Sequence, residues 1–376
     1  MEAISVASKE SPIQGKQLWS LAALYGSVVI GWIAYQNYQP KLLEQFQFKD
    51  YTFLLAVAQG IILVITPPLA GRMGDKYRLK NGHRLPIITA GMSFAAMVFM
   101  AVAFTLLTNP GEIFKWVLPV LIVFWLISMS IFTSPALSTM ELFTPADKLP
   151  RAMAIITIVA NLIYSLEPVI VDIIDYIGAP LTFISGGVVV FISGLALKRN
   201  SLGLFKQTDN KENAQHQPKF VLDTQKSSYG FIFFLGTALG LGTTVMFNIF
   251  PELYKVQLGT ILNGSSPKLV IMGILILSAM LSLPISSLVN KYGMIRCMWI
   301  SLAFLMVSMG AMFVVSGVGV VITMTVIFSV AFTALSVSSL PLAMSQSNYY
   351  EKVFCVGIFF SGVALPDGIL SAIQVF

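Results

Sequence analysis

Two carboxylates stand inside long apolar segments of this 376-residue sequence. Glu167 lies in NLIYSLEPVI, directly before Pro168, and Asp367 lies in GVALPDGILSAIQ between Pro366 and Gly368. An ionised side chain is costly in hydrocarbon, so such residues usually face a polar cavity, and an adjacent proline frees backbone carbonyls to face it too. A carboxylate in that setting can bind and release a proton or a metal cation. Both acids are therefore predicted to bind a cation or a substrate.

The residues before Glu167 include groups that hydrogen-bond to hydroxylated ligands. Asn161, Tyr164 and Glu167 recur at i, i+3 and i+6 of a predicted helix, which places them on one narrow face. That face is predicted to bind a hydroxylated solute. The alternative interpretation of Glu167 is an acid near the outer interface of the membrane, hydrated there together with Asp172 and Asp175.

A second candidate surface lies at the end of the first apolar run, GWIAYQNYQP, where Trp32, Tyr35 and Gln36 follow one another at helical spacing. Aromatic faces stack on sugar rings and amides bind hydroxyl groups, so this surface is predicted to bind a saccharide. The belt of aromatic residues at a membrane interface is the alternative explanation of Tyr35. The complete set of predicted binding residues is Gln36, Asn37, Gln59, Asn161, Tyr164, Glu167, Asn248 and Asp367.

A dense charged segment, GRMGDKYRLKNGHRLP from Gly71 to Pro86, separates two apolar runs. Basic residues alone would fix the membrane topology of this turn, and they would need neither the glycines nor Asp75. A charge pair at the membrane edge changes its interaction energy when two rigid bodies separate, which suits a switch. Glu141, at the inner end of the fourth apolar run, is predicted to be a gate or interface residue.

Enzymatic chemistry finds little support in the sequence. The two histidines, His83 and His216, lie in predicted loops, and no HExxH, P-loop or dinucleotide-binding pattern occurs. Cys297 and Cys355 have no metal-binding or redox context. The sequence therefore predicts neither an enzyme nor direct ATP coupling, and no cofactor beyond a coupling ion, H⁺ or Na⁺.

The composition places these groups in a polytopic membrane protein. Hydrophobic residues make up 56% of the chain and charged residues 11%, against roughly a quarter charged in soluble domains. Windows of about 19 residues, the length of helix that crosses a bilayer, predict eleven spans. They lie near residues 18–36, 51–70, 85–107, 116–140, 151–171, 180–197, 229–250, 269–289, 294–316, 318–344 and 353–376.

The distribution of basic residues predicts the orientation. With the N-terminus inside, the inner segments hold 18 of the 23 Lys and Arg residues, so the positive-inside rule places the N-terminus in the cytoplasm. The net charge of +6 then reflects topology and contact with anionic lipid, and no nucleic-acid partner is expected. The predicted organisation is a cytoplasmic tail (1–17), a six-helix bundle (18–197), a cytoplasmic linker (198–228) and a bundle of about five helices (229–376).

The pattern G-x-x-x-D-K-x-x-x-x-x-G-x-R, from Gly71 to Arg84, resembles the loop between the second and third helices of the major facilitator superfamily. In that family the Gly permits close helix approach and the Asp caps a neighbouring helix or pairs with an Arg. The resemblance implies a latch that is made in one access state and broken in another. Its predicted gating residues are Gly71, Arg72, Asp75, Lys76 and Arg84. A weaker match, SSLVNKYGMIR, carries Asn290 in place of the acid, so a second latch is expected to be weak or absent.

A narrower resemblance links PLAGRMGDKYRLKNGHRLPII to the corresponding loop of plant sucrose–proton symporters and glycoside-pentoside-hexuronide symporters. The stretches SPALSTMELFTPADKLPRAMAI, SSLPLAMS and GVALPDGILSAIQ are similar to later spans of these proteins. Two positions depart from the family pattern. Ala136 and Leu137 follow the fourth-span Pro where the symporters commonly have an Arg, and Asp367 replaces the Gln of an eleventh-span Pro-Gln.

These features together predict an all-α polytopic membrane protein of the major facilitator fold, with about 11 transmembrane helices in two pseudo-repeat bundles. The family's twelfth helix is not recognisable in the sequence. The expected function is symport of a sugar or glycoside with a cation, a proton being favoured, by alternating access. Two alternatives remain open: a facilitator-type transporter of another small solute, and a non-transporting receptor or scaffold. We expect a monomer that contacts membrane lipid in a bacterial inner membrane.

Overall fold

The computed structural model describes residues 12–45, 48, 52–81, 83–108, 116–215, 226–262, 264–314 and 317–374. Parts of the predicted tail (1–11) and linker (216–225) lie outside these residues. Regular structure in the described residues is helical throughout. The main helices are α1 (Gly15–Gln45), α2 (Thr52–Asn81), α3 (Leu85–Leu107), α4 (Val117–Ser138), α5 (Leu149–Ser165), α6 (Glu167–Ile177), α7 (Ala179–Gln215), α8 (Tyr229–Thr244), α9 (Phe250–Gln257), α10 (Lys268–Tyr292), α11 (Met294–Val314), α12 (Val318–Ser345) and α13 (Lys352–Gln374).

The predicted membrane spans are present as helices. Ten helical segments of the described chain are long and apolar enough to cross a membrane, and the pair α5 and α6, bent by 57° at its break, makes an eleventh. The break falls at Leu166, and Pro168 occupies the second position of α6. Proline has no backbone N–H to continue the preceding helix, so the span predicted as continuous from 151 to 171 is divided here into two helices.

The structure differs from the sequence prediction at two helix ends. Helix α2 continues to Asn81, so most of the charged segment predicted as a turn is helical. Helix α7 continues through the first part of the predicted linker to Gln215. Phe205 on this extension is buried and packs near His83 and Phe143, with ring centroids 5.8 and 6.4 Å away. Both helices therefore continue beyond their apolar runs into polar sequence, and tertiary contacts stabilise these extensions.

Two groups of helices, the N-half (α1–α7) and the C-half (α8–α13), meet along α2 with α13 and along α5 with α10. Helix α13 lies between α2 and α8. Glycines allow the backbones to touch, because a Cβ at Gly357 would overlap the carbonyl oxygen of Pro67, and one at Gly71 would overlap that of Val353. Small residues at helix interfaces permit this close approach in membranes.

We name the two ends of the helix bundle by their charge. The end where α1 begins, α2 ends and α13 begins carries the basic cluster of residues 72–84, and we call it the basic end. We call the other, where α1 ends and α10 begins, the opposite end.

Replacing Gly357 with alanine is expected to destabilise the protein by about 1–3 kcal/mol, because the added methyl group forces α2 and α13 apart. The matched control is Gly310→Ala in α11, where a Cβ meets no other atom within 4 Å. Thermal unfolding of both variants in one detergent measures the difference. Equal unfolding midpoints would contradict the backbone contact between α2 and α13.

Candidate functional site

A cavity of about 960 Å³ lies between the two halves. Its lining extends from Tyr25 and Ser134 in the middle of the bundle to Glu44 and Lys268 near the opposite end, and on α2 it stops at Pro67. The cavity therefore leads towards the opposite end and is closed towards the basic end. Seven of the eight predicted binding residues line it: Gln36, Asn37, Gln59, Tyr164, Glu167, Asn248 and Asp367.

Asp367 meets an amide of the same half. The Asn248 side-chain Nδ2 donates a hydrogen bond to Asp367 Oδ1 over 3.1 Å. Asp367 is half-buried on α13, and among the described residues no cation lies within ion-pair distance of it. Because its partner is a neutral amide, this carboxylate keeps its capacity to bind a cation.

Glu167 is paired differently. Lys268 Nζ lies 2.9 Å from Glu167 Oε1, and this ion pair joins the first residue of α6 in the N-half to the first residue of α10 in the C-half. The Lys268 side chain is 60% exposed and that of Glu167 23%. An exposed pair of this kind contributes about 0–1 kcal/mol, so it can open and close readily. Both residues lie at the part of the cavity nearest the opposite end.

An aromatic group forms one wall of the cavity. Tyr35 stacks on the buried Trp125 with ring centroids 4.5 Å apart and planes at 6°, and Trp32 meets both rings edge-on. The Tyr35 hydroxyl donates to Gln59 Oε1 over 2.9 Å, which leaves the Gln59 amide nitrogen for other partners. Trp32, Tyr35 and Gln59 all line the cavity, so an aromatic surface and an amide lie side by side there.

The remaining amides divide into one that is exposed and two that are engaged. Gln36 is exposed at the cavity. Asn37 donates to Asp175 Oδ1 over 2.9 Å, and Lys41 pairs with the same carboxylate at 2.8 Å. Asn161 is buried outside the cavity lining, so the geometry separates it from Tyr164 and Glu167 on the predicted face.

Asn161 instead belongs to a buried hydrogen-bond network between the halves. Its Nδ2 donates to Ser278 Oγ on α10 over 2.8 Å, and Thr333 Oγ1 on α12 donates to the same oxygen over 2.8 Å. Tyr164, one turn further along α5, packs against Phe247 of the C-half with centroids 5.3 Å apart. Helix α5 therefore contacts the C-half through both residues.

At the basic end, Asp75 caps a helix of the other half. Asp75 Oδ2 accepts from the backbone N–H of Phe354 over 2.8 Å, and Oδ1 accepts from that of Val353 over 3.2 Å. These two N–H groups belong to the first turn of α13 and have no partner within the helix. Asp75 is 6% exposed, and Gly71 and Gly74 pack directly against Val353.

Other charges reinforce this closure. Lys352 Nζ pairs with Glu141 Oε1 of the N-half at 2.7 Å, as expected for an interface residue. Arg84 bonds within the N-half: it is buried and donates to Ser138 Oγ over 2.5 Å, and burial lowers the pKa of Arg84 to about 10, so it stays protonated at neutral pH. Arg78 lies 4.2 Å above the ring of Tyr349.

Sequence reasoning missed several partners of the predicted residues. Arg72 and Lys76, both predicted to gate, are exposed on α2, whereas Arg78 makes the inter-half contact. By the topology predicted from the sequence, Lys268 is one of the five basic residues of the outer segments. Its position at the start of a span opposite the acid Glu167 is the one sequence signal, and it does not identify the partner. Within the described residues no group of three or more His, Cys, Asp or Glu side chains could hold a metal ion.

Comparisons with known proteins agree with this architecture. The family model described as Major Facilitator Superfamily matches residues 21–367. A solved structure of the proton:xylose symporter XylE, bound to 6-bromo-6-deoxy-D-glucose, is similar with a TM-score of 0.65. The match covers 94% of this chain and 88% of that one at 11% sequence identity, so it supports the fold alone. None of the curated proteins compared matches this sequence.

Asp75→Ala is expected to release the first turn of α13. It removes two hydrogen bonds to a charged acceptor, each worth about 1.5–3 kcal/mol. Hydrogen–deuterium exchange at the amides of Val353 and Phe354 should therefore rise by at least about tenfold. Lys80→Ala, an exposed position on the same helix, is the matched control. Unchanged exchange at these two amides in Asp75→Ala would contradict a capping role.

Proposed function

This chain belongs to the Major Facilitator Superfamily of membrane transporters, and on that premise we propose that it carries a sugar or glycoside together with a cation by alternating access. The observation that carries the proposal is the cavity between the halves, where an aromatic wall, amides and the carboxylate of Asp367, whose partner is a neutral amide, surround the same space. The aromatic wall and the amides suit a saccharide, and the carboxylate suits the coupled cation.

The cavity lining supports a neutral, hydroxyl-rich substrate. Its volume of about 960 Å³ lies in the range of cavities that enclose small ligands, about 300–1,000 Å³. Trp32, half-buried at the cavity beside the stacked Tyr35, offers aromatic surface for a sugar ring, and Gln36 and Gln59 offer amides for its hydroxyl groups. The neighbour of similar fold is a symporter of protons and xylose, which fits the same substrate class.

The two intramembrane acids would have different roles. Glu167 already has Lys268 as a counter-charge, so it would join the halves at the cavity mouth. Asp367 has a neutral amide as its partner and would bind the coupling cation. A cation and a sugar that bind the same access state favour each other's binding by an equal factor, and this reciprocity couples their movements.

The two ends of the bundle would open in turn. The present conformation is closed at the basic end by Asp75 and by the pair of Glu141 with Lys352, and its cavity leads to the opposite end. By the positive-inside rule, the excess of basic residues supports a cytoplasmic location of the basic end, so this conformation would receive substrate from outside. Release inside would require breaking these contacts as the two halves rock. We place the protein as a monomer in a bacterial inner membrane.

The first test is external pH in lightly buffered, de-energised cells that express the protein, during pulses of monosaccharides, disaccharides and glycosides. Proton-coupled import removes protons from the medium, so at least one sugar should make the medium more alkaline. Cells without the protein are the control. If no sugar changes the external pH although the protein is present in the membrane, the result would contradict proton–sugar symport and favour sodium coupling, another solute or a receptor.

The second test separates the acids in proteoliposomes. Asp367→Asn is expected to abolish gradient-driven accumulation and to preserve sugar counterflow, because it removes only the cation-binding charge. Glu167→Gln is expected to preserve accumulation and to change KM, because it leaves Lys268 unpaired at the cavity mouth. Asp172→Asn, an exposed acid on α6 outside the cavity lining, is the matched control. Wild-type KM and Vmax in both test variants would remove this mechanism.

A further inference from the structure

A short π-helical turn interrupts the span formed by α8 and α9. It covers Val245–Ile249, and the N–H of Phe250 donates to the carbonyl oxygen of Val245, five residues back. Pro251 follows and cannot donate a backbone hydrogen bond. Turns of this kind are rare and concentrate at functional sites. The backbone at this point is therefore held less tightly than a continuous α-helix.

Two neighbouring side chains of this turn contact different halves of the molecule. Asn248 donates to Asp367 Oδ1 on α13 over 3.1 Å, within the C-half. Phe247 packs against Tyr164 on α5 of the N-half, with centroids 5.3 Å apart and planes at 49°. All four residues line the cavity. The turn thus joins a carboxylate to an aromatic contact that spans the cavity.

The charges around Asp367 are few. Helices α4, α8 and α12, which pack on α13, contain no Asp, Glu, Lys, Arg or His, and α2 contains none before Arg72. Elsewhere around the cavity lie the phenols of Tyr25 and Tyr164, the carboxylate of Glu44 and the ion pair of Glu167 with Lys268. The hydrogen bond from Asn248 is therefore the direct polar contact through which a change of charge on Asp367 reaches the helix turn.

We propose that Asn248 is a positioning residue that transmits the cation occupancy of Asp367 to the contact of Phe247 with Tyr164. The inference deepens the proposed function and rests on Asp367 as its cation site. A hydrogen bond to an ionised carboxylate is about twice as strong as one between neutral groups. Proton binding at Asp367 weakens its hydrogen bond with Asn248, which ties the π turn to α13. The turn then moves and shifts Phe247 relative to the N-half.

The test measures one distance across the opposite end without any sugar. Spin labels replace Val256 on α9 and Tyr176 on α6, which are 83% and 91% exposed, in the full chain with Cys297→Ser and Cys355→Ala. Double electron–electron resonance on the protein in nanodiscs measures the distance between the two labels from acidic to mildly alkaline pH. The parent should change its distance distribution with pH, and Asp367→Asn should not.

The decisive variant is Asn248→Ala, which should lose the pH-dependent shift while Asp367 remains in place. Asn248→Leu keeps the side-chain volume without the donor and is measured in its place if the alanine variant does not fold. Asn248→Gln, which keeps an amide, should recover part of the shift. Gln257→Ala removes an amide that bonds Met312 elsewhere on the same span, and it should behave as the parent.

The proposal would be overturned if the variants without the amide donor showed the same pH-dependent change in label distance as the parent. It would also be overturned if the label distance in the parent did not depend on pH. Because no sugar is added, the outcome is separate from the transport assays. A protein that carries no sugar and yet shows the Asn248-dependent shift would retain this inference and lose the proposed substrate class.

Discussion

The two hydrogen bonds from the first turn of α13 to Asp75 hold the basic end together. A helix start has backbone donors without partners and a partial positive charge, so a carboxylate from another helix satisfies both needs at once. The bonds can form only because Gly71 lets α2 approach the backbone at Val353. The direction in which the cavity opens, and the side from which it is closed, follow from this contact.

The second interface between the halves has a different chemistry. Asn161, Ser278 and Thr333 join α5, α10 and α12 through neutral hydrogen bonds, which contribute about 1 kcal/mol each. Neutral hydroxyl and amide groups can exchange partners without leaving a buried charge unpaired. The halves are thus held by a charged cap at one end and by an adaptable polar contact deeper in the bundle, an arrangement suited to rocking.

Local rules predicted the fold and part of the site. Hydropathy located the spans because a backbone in hydrocarbon must satisfy its hydrogen bonds within helices, and Pro168 located the break between α5 and α6. The site needed more, because its partners are distant in sequence. Lys268 lies 101 residues from Glu167, and Asn248 lies 119 residues from Asp367.

Helical spacing also cannot decide which neighbour a face meets. Asn161 shares a predicted face with Tyr164, and the packing of α10 turns its amide to Ser278 and away from the cavity. The extent of α2 beyond its apolar run depends in the same way on α13, a helix whose start lies more than 270 residues later in the chain. Such pairings are properties of the assembled bundle.

In the proposed mechanism, α13 makes gating and coupling one event. Its start is held by Asp75, and its carboxylate Asp367 lies 13 residues beyond Phe354, or about 20 Å along the helix at about 1.5 Å per residue. A movement that frees the start of a rigid helix also changes the surroundings of a group further along it. Glu167 is poorly placed for that role, because Lys268 compensates its charge where the halves meet. Asp367 changes its environment whenever the basic end opens, so it can bind a cation with different affinity in the two access states, which is the condition for coupled transport.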